Sequence, residues 1–89
     1  MRYHVEFTKA ALKDLKKTDP PVAALIIGWL RKNIENCDNP RIHGKALSAD
    51  LKGQWRYRVG DYRILAQIED DKVRVLVICI GHPRDIYEN

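Results

Sequence analysis

The segment Gln54–Glu69 constrains the fold of this chain most, because apolar and charged residues alternate on both sides of a glycine–aspartate pair. Gly60 and Asp61 tolerate the positive φ that a two-residue hairpin loop requires. The alternation therefore predicts two antiparallel strands in which Arg58 lies directly opposite Arg63. The residues expected on the core face of this hairpin are Trp55, Tyr57, Val59, Tyr62, Ile64 and Ala66.

The opposite face of the hairpin is basic, since it carries Arg56, Arg58 and Arg63. Like charges directly across a sheet are destabilising, which indicates that an anionic group comes to lie there. Guanidinium groups match the oxygens of a phosphate and stay charged at every relevant pH, so the cluster is a candidate phosphate cradle. The alternative is a solvated strand face whose arginines extend into water or pair with Asp50 or Asp61.

Two helices are predicted before this hairpin. A short alternating strand comes first, at Tyr3–Phe7, and Thr8 then has the position of an N-cap for a helix that runs to about Lys17. Asp19, followed by proline, starts a longer helix whose apolar residues recur at helical spacing to about Asn36. The connection is short, so the two helices form an antiparallel hairpin. The segment after them is rich in Asn, Pro, Gly and Ser and is interpreted as a loop.

A third strand of a meander is predicted after a tight turn at residues 70–71, with Leu65 opposite Leu76 and Arg63 opposite Ile78. The helix pair would then cover the apolar face of the sheet and leave the arginines on the other face. The expected fold is α+β in the order β-α-α-β-β-β. It has an N-terminal strand and an antiparallel two-helix hairpin packed on one face of a small antiparallel sheet.

The length and composition fit a single domain that spans residues 1–89. A formal net charge of +4 favours nucleic acid or an acidic protein as the partner. Cys37 and Cys79 lack the spacing of metal ligands, and the first residues lack the pattern of a signal peptide. We therefore expect a cytoplasmic protein that needs no metal or cofactor and does not associate with a membrane.

The C-terminal segment adds groups that can move protons. His82 is a candidate proton carrier, because histidine titrates near neutral pH, and its alternative is a turn residue. Tyr87 is a candidate acid, base or stacking platform for a nucleobase, and its alternative is C-terminal packing. Trp29 is interpreted as a core residue and His43 as a surface residue. This inventory permits metal-free chemistry on a phosphodiester, in which basic groups stabilise the negative charge that builds up on phosphorus.

The chain shares the pattern of a known family over nearly its whole length, and three stretches carry this resemblance. They are YHVEFTKAALKDL at residues 3–15, LKGQWRYRVGDYR at residues 51–63 and GHPRDIY at residues 81–87. In them the chain resembles the RelE/ParE superfamily of bacterial toxin–antitoxin toxins, and its RelE-type members in particular. The resemblance implies an endoribonuclease that cuts messenger RNA in the ribosomal A site. The RNA 2′-hydroxyl would attack the adjacent phosphate without a metal.

The resemblance also implies partners. They are a cognate antitoxin protein that neutralises the toxin, and the ribosome with its mRNA; operator DNA would be contacted only through the antitoxin. Two alternatives remain open. One is a ParE-like protein that poisons DNA gyrase without cutting nucleic acid, and the other is a catalytically weak relative that binds an antitoxin.

By position, the resemblance assigns Arg56 and Arg58 to catalysis and RNA binding, and Arg63 to stabilising the scissile phosphate. It assigns Tyr87 to stacking on the substrate or exchanging protons with it. Arginine cannot serve as a general base, so the identity of the base is left open. The predicted catalytic residues are Arg56, Arg58, Arg63, His82, Arg84 and Tyr87.

Three further predictions concern binding and the tail. The predicted RNA-binding residues are Lys45, Lys52, Arg56 and Arg58. The predicted antitoxin-binding residues are Leu65, Arg74, Leu76 and Ile78, because an apolar patch next to the arginines calls for a partner. Pro83 stands where many relatives have an arginine, so that role either falls to Arg84 or is lost.

Overall fold

Within residues 2–47 and 53–82, which are those that this computed structural model describes, two helices pack on a five-stranded sheet. The elements, in chain order, are β1 (His4–Phe7), α1 (Lys9–Lys17), α2 (Pro20–Asn33), β2 (Lys45–Ala46), β3 (Gln54–Val59), β4 (Tyr62–Glu69) and β5 (Arg74–Gly81), with a short 3₁₀ turn at Asp70–Lys72. The predicted α+β class is thereby confirmed. No helix in these ranges is long and apolar enough to span a membrane.

The strands are ordered β1-β5-β4-β3-β2. β1 runs parallel to β5 and the other neighbouring pairs are antiparallel, so the sheet is mixed where the sequence analysis expected an antiparallel one. β2 lies in the segment interpreted as a loop. It places Lys45 opposite Arg56 at the edge of the sheet.

Local signals determine where the helices begin and end. Thr8 Oγ1 accepts a hydrogen bond from the Ala11 amide at 3.1 Å, which confirms Thr8 as the N-cap of α1. α2 ends at Asn33, somewhat before the predicted end. Asn36 takes a left-handed φ of 64° and donates its amide to the Tyr3 carbonyl at 2.8 Å. The backbone therefore leaves the helix there and joins the edge of the sheet beside β1.

The core lies between the helices and the predicted apolar face of the hairpin. The fully buried side chains include Tyr57 and Ile64 from the hairpin, Val75 and Val77 from β5, and Ile26 and Leu30 from α2. Each such burial stabilises the fold by about 1.5–3 kcal/mol, so a strand slip of one residue would be costly. The arginines of β3 and β4 consequently lie on the outer face, defined here as the sheet face opposite the helices.

The predicted tight turn before β5 is wrong. The chain makes a 3₁₀ turn in which Val73 has a left-handed φ of 51°. Arg74 lies opposite Glu69, so the connection is longer than the predicted turn at residues 70–71. The cause is non-local. The Asp70 carboxylate accepts a hydrogen bond from the Tyr3 hydroxyl at 2.6 Å and from Arg41 at 3.0 and 2.9 Å. These bonds hold the turn in its longer form.

A β-bulge further along β4 and β5 makes their pairing differ from the predicted one. Leu65 lies opposite Cys79 rather than Leu76, whereas its neighbour Ala66 lies opposite Val77. Ile78 is therefore the extra residue of the bulge and does not pair with Arg63. Arg63 lies opposite Gly81 instead, so the end of β5 comes directly beside the arginines.

Candidate nucleic-acid interface

The arginine cluster lies where the sequence predicts it. Gly60 has a φ of 59° in the turn between β3 and β4, and the strands place Arg58 directly opposite Arg63. Arg58 is exposed, whereas Arg56 and Arg63 are half-buried. The Cβ atoms of directly opposed residues lie about 4.5–5.5 Å apart, so these two guanidinium side chains leave the sheet side by side.

Lys45 extends this cluster, because β2 places it opposite Arg56. We call Lys45, Arg56, Arg58 and Arg63 the basic end of the outer face. Among residues 2–47 and 53–82, no carboxylate forms an ion pair or hydrogen bond with Lys45 or Arg58. The positive charge of these two side chains is therefore available to an anionic ligand.

The other end of the outer face is also charged, but its charges are matched. Arg74 Nε lies 2.6 Å from Glu69 Oε1, and its Nη1 lies 3.5 Å from Glu6 Oε1. Lys72 Nζ lies 3.7 Å from Glu69 Oε2. The hydrogen bond from Arg74 lowers the pKa of Glu69 and raises the pKa of Arg74. We call these four residues the paired end.

His82 follows the end of β5 and contacts Tyr62. The two rings are T-shaped, with centroids 5.8 Å apart. Tyr62 packs against the core, on the sheet face that the helices cover. With Asp14 and Lys17 of α1, the two rings line a cleft of about 480 Å³. The backbone of His82 therefore follows directly on Gly81, which lies opposite Arg63. Its ring, by contrast, contacts Tyr62 on the face that the helices cover.

The predicted antitoxin-binding residues lie in the middle and at the paired end of the outer face. Leu65 and Leu76 are half-buried, and Ile78 is 40% exposed in the bulge of β5. Arg74 contacts Glu69 and Glu6 within the fold. An apolar strip therefore separates the two charged ends.

The loop before β2 is held firmly against β3. The Tyr57 hydroxyl donates to the Pro40 carbonyl at 2.7 Å, and Trp55 Nε1 donates to the His43 carbonyl at 2.6 Å. Gly44 has a φ of 79°, and a Cβ atom there would collide with the Arg56 carbonyl oxygen. Only glycine fits at this position without a shift of the strand.

This anchored loop forms one wall of a cleft that the sequence analysis missed. The cleft has a volume of about 320 Å³ and is lined by Trp29, His43, Gly44, Lys45, Arg56 and Arg58. Trp29 is half-buried rather than fully in the core, and the His43 ring packs against it. The one sequence signal for this cleft is the glycine between a histidine and a lysine, which indicates a positive φ in a basic loop.

Three predicted site residues, Lys52, Arg84 and Tyr87, lie outside the described residues. In the part of the chain that the structure describes, no three His, Cys, Asp or Glu side chains are grouped as metal ligands would be.

Fold and charge define a small α+β protein that presents a basic sheet end to its surroundings. The family model described as the ParE toxin of type II toxin–antitoxin systems, parDE, matches residues 5–87, and the chain belongs to this family of toxins. The chain is 33% identical to Toxin RelG of Mycobacterium tuberculosis over 87 residues, which cover 98% of both chains. It is 37% identical to Toxin RelE of the same organism, over 89% of this chain and 79% of that one.

Solved structures give the same result. The toxin–antitoxin complex RelBE2 from Mycobacterium tuberculosis contains a chain with a TM-score of 0.78 and 30% identity, covering 96% of this chain and 95% of that one. An Escherichia coli RelE mutant in complex with a peptide of the antitoxin RelB has a TM-score of 0.74 and 27% identity, covering 92% of this chain and 84% of that one. The protein is therefore a RelE-like toxin of a type II toxin–antitoxin system.

Proposed function

We propose that this toxin is a ribosome-dependent endoribonuclease that cleaves messenger RNA in the A site and so inhibits translation. The observation that carries this proposal is the direct pairing of Arg58 with Arg63 on the outer face. Two guanidinium groups on directly opposed residues concentrate positive charge at one point of the sheet, which attracts an anion. A phosphodiester that gains negative charge as it reacts is the anion that two guanidinium groups stabilise best.

In the proposed reaction, the 2′-hydroxyl of one nucleotide attacks the adjacent phosphorus and loses its proton to a general base. The bond from phosphorus to the 5′-oxygen of the next nucleotide breaks, and that oxygen takes up a proton from a general acid. The products are a 2′,3′-cyclic phosphate and a 5′-hydroxyl. Arg63 and Arg58 would stabilise the additional negative charge on the phosphate oxygens.

Proton transfer would fall to His82 or Tyr87, since arginine does not act as a base. Because the His82 ring contacts Tyr62, it lies toward the sheet face that the helices cover, whereas the arginines lie on the outer face. We therefore expect Tyr87 to be the more important of the two. Replacing Tyr87 by phenylalanine removes the hydroxyl and keeps the ring. If Tyr87 carries a proton, Tyr87→Phe lowers the cleavage rate while ribosome binding persists; unchanged cleavage would limit its role to stacking.

We also propose that a cognate antitoxin covers the apolar strip of Leu65, Leu76 and Ile78, with acidic residues near the arginines. An exposed isoleucine beside two half-buried leucines is an apolar surface that a partner stabilises by burying it. Structures with RelE toxins in complex with RelB antitoxins support such a partner. Hydrogen-exchange footprinting of the complex tests the location. Protection confined to α1 and α2 would contradict it.

The competing function is poisoning of DNA gyrase, because the matching family model is described for the ParE toxin. One experiment separates the two. The purified toxin is added to a reconstituted translation system, the message ends are mapped, and DNA supercoiling by gyrase is followed in parallel. Cuts in phase with translated codons support the nuclease, and gyrase-dependent DNA breaks support the alternative. Absence of both effects indicates a weak relative that only binds its antitoxin.

A further inference from the structure

We propose that the cleft between Trp29, His43 and Lys45 binds one nucleotide of the RNA strand, next to the nucleotide that is cut. Its base would pack on the aromatic wall, and its phosphate would contact Lys45 and Arg58. This inference rests on the proposed function and adds to it a subsite that adjoins the arginine cluster and shares Arg58 with it.

The aromatic wall is built by residues from separate elements. The ring centroids of Trp29 and His43 lie 5.5 Å apart at an interplanar angle of 74°, and Trp29 also packs at 5.5 Å on Tyr57. Trp29 is thus fixed against the core, and His43 is fixed against Trp29. Every nucleobase has a π-face, so a rigid aromatic wall beside cations suits a single-stranded nucleic acid of any sequence.

The cations of the cleft differ from Arg41, a cation in the loop before β2. Arg41 donates two hydrogen bonds to Asp70 and lies 6.0 Å above the Trp55 ring, so its charge serves the fold. Within residues 2–47 and 53–82, neither Lys45 nor Arg58 has such a partner. A nucleotide needs a cation for its phosphate and an aromatic surface for its base, and the cleft offers both.

The volume and the position of the cleft fit a single nucleotide. A volume of about 320 Å³ is at the lower limit for ligand pockets, so the cleft holds one small unit. Arg58 lines the cleft and also lies opposite Arg63. The subsite is therefore continuous with the proposed cleavage site, as it must be for neighbouring nucleotides of one strand.

The first test is the kinetics of message cleavage in the reconstituted translation system. His43→Ala removes the imidazole from the aromatic wall but keeps the carbonyl that accepts the Trp55 hydrogen bond. We expect its KM to rise about tenfold with kcat nearly unchanged, because stacking binds substrate and transition state alike. His43→Phe keeps an aromatic face and should restore KM to within about twofold. His4→Ala, a histidine at the far edge of the sheet, is the matched control.

The second test measures binding of a single-stranded hexaribonucleotide directly. Its addition should shift the NMR resonances of the Trp29 indole and the His43 ring, whereas inorganic phosphate alone should leave both in place. Lys45→Ala should reduce the slope of log K against log salt by about 0.7, the value for one phosphate contact on a single strand. Lys72→Ala removes an equal charge at the paired end and should leave the slope unchanged.

The outcomes separate this inference from the proposed function. If the wild type cleaves message and His43→Ala has the same KM, the subsite is refuted and the nuclease stands. If the wild type cleaves nothing but the hexaribonucleotide shifts both rings, the cleft binds RNA, while the nuclease and the position of the subsite next to a cut nucleotide are both refuted. If only an antitoxin peptide shifts the rings, the cleft belongs to the protein partner and the inference is overturned.

Discussion

The two charged ends of the outer face differ in what their charges do. At the paired end, Arg74 contacts Glu69 at 2.6 Å and Glu6 at 3.5 Å, so opposite charges stabilise the edge of the sheet. At the basic end, Arg58 lies opposite Arg63, and no carboxylate of the described residues pairs with Arg58. The comparison teaches that an arginine on a sheet can either stabilise the fold or remain available to bind a ligand. A carboxylate paired with the arginine indicates the first role.

The largest expected effect comes from removing an arginine of the basic end. Arg63→Ala should lower the rate of message cleavage about 100- to 1,000-fold, because one pre-organised charge contact to a transition state is worth about 2.7–4 kcal/mol. The melting temperature should change little, because Arg63 is not among the buried core residues and the protein still folds. Both are measured on purified protein, by single-turnover cleavage and by calorimetry.

The matched variant at the paired end is Arg74→Ala. It should lower the melting temperature, because Glu69 loses its closest partner, and it should change cleavage at most a few-fold. If Arg63→Ala cleaves at the wild-type rate, or if the two variants behave alike, the division of the face into two ends is wrong.

The next effect concerns the shape of the basic end. Gly44→Ala should destabilise the protein by more than about 1 kcal/mol, because the new Cβ meets the Arg56 carbonyl oxygen and φ is positive. Urea unfolding measures this change. Gly28→Ala is the control. Gly28 lies in α2, where an added Cβ would meet nothing within 4 Å, so alanine should stabilise the helix by about 0.5–1 kcal/mol.

A smaller effect follows from making the basic end resemble the paired end. Arg58→Glu places opposite charges across β3 and β4, which should stabilise the protein by about 0.2–1 kcal/mol. The melting temperature should rise by a few degrees while cleavage falls, because the carboxylate repels the phosphate. Arg58→Ala should be intermediate in stability. An Arg58→Glu protein less stable than the wild type would contradict the repulsion on which the interpretation depends.

The smallest effect is a difference in acid sensitivity. The pKa of Glu69 is held below its ordinary value of 4.5, mainly by the hydrogen bond from Arg74. Its contribution to stability is therefore present above about pH 4.5 and is lost as the pH falls through the lowered value. Glu69→Gln should be less stable than the wild type at pH 7, and the gap should close in acid. For Arg58→Ala the gap should not change with pH, because arginines stay charged; a gap that closes in acid would contradict this.

The sequence predicted the parts of the fold that depend on neighbouring residues. The hairpin register, the face of each arginine and the N-cap at Thr8 follow from alternation, a two-residue loop and a capping hydroxyl. The turn before β5 was mispredicted because Tyr3 and Arg41, far away in the chain, hold Asp70. Only the folded chain brings these three side chains together.

Two other features escaped prediction for different reasons. The segment Val75–Ile80 is apolar throughout, so its pattern contains no signal that distinguishes a regular strand from one with a bulge at Ile78. The cleft beside Trp29, His43 and Lys45 was missed because Trp29 and His43 belong to separate elements and meet only through packing. The arginine cluster, by contrast, was predictable because all its members lie on one hairpin.

The parallel pairing of β1 with β5 has a consequence for how this toxin is made. Phe7 leaves the ribosome well before its strand partner Val77 is synthesised. Contacts so distant in the chain close slowly, because the loop entropy is lost before the pairing compensates for it. Until β5 is present, β1 and β4 both lack the strand that lies between them in the sheet. A nascent chain that stops before β5 is therefore expected to lack the finished sheet and to be a ready substrate for proteases.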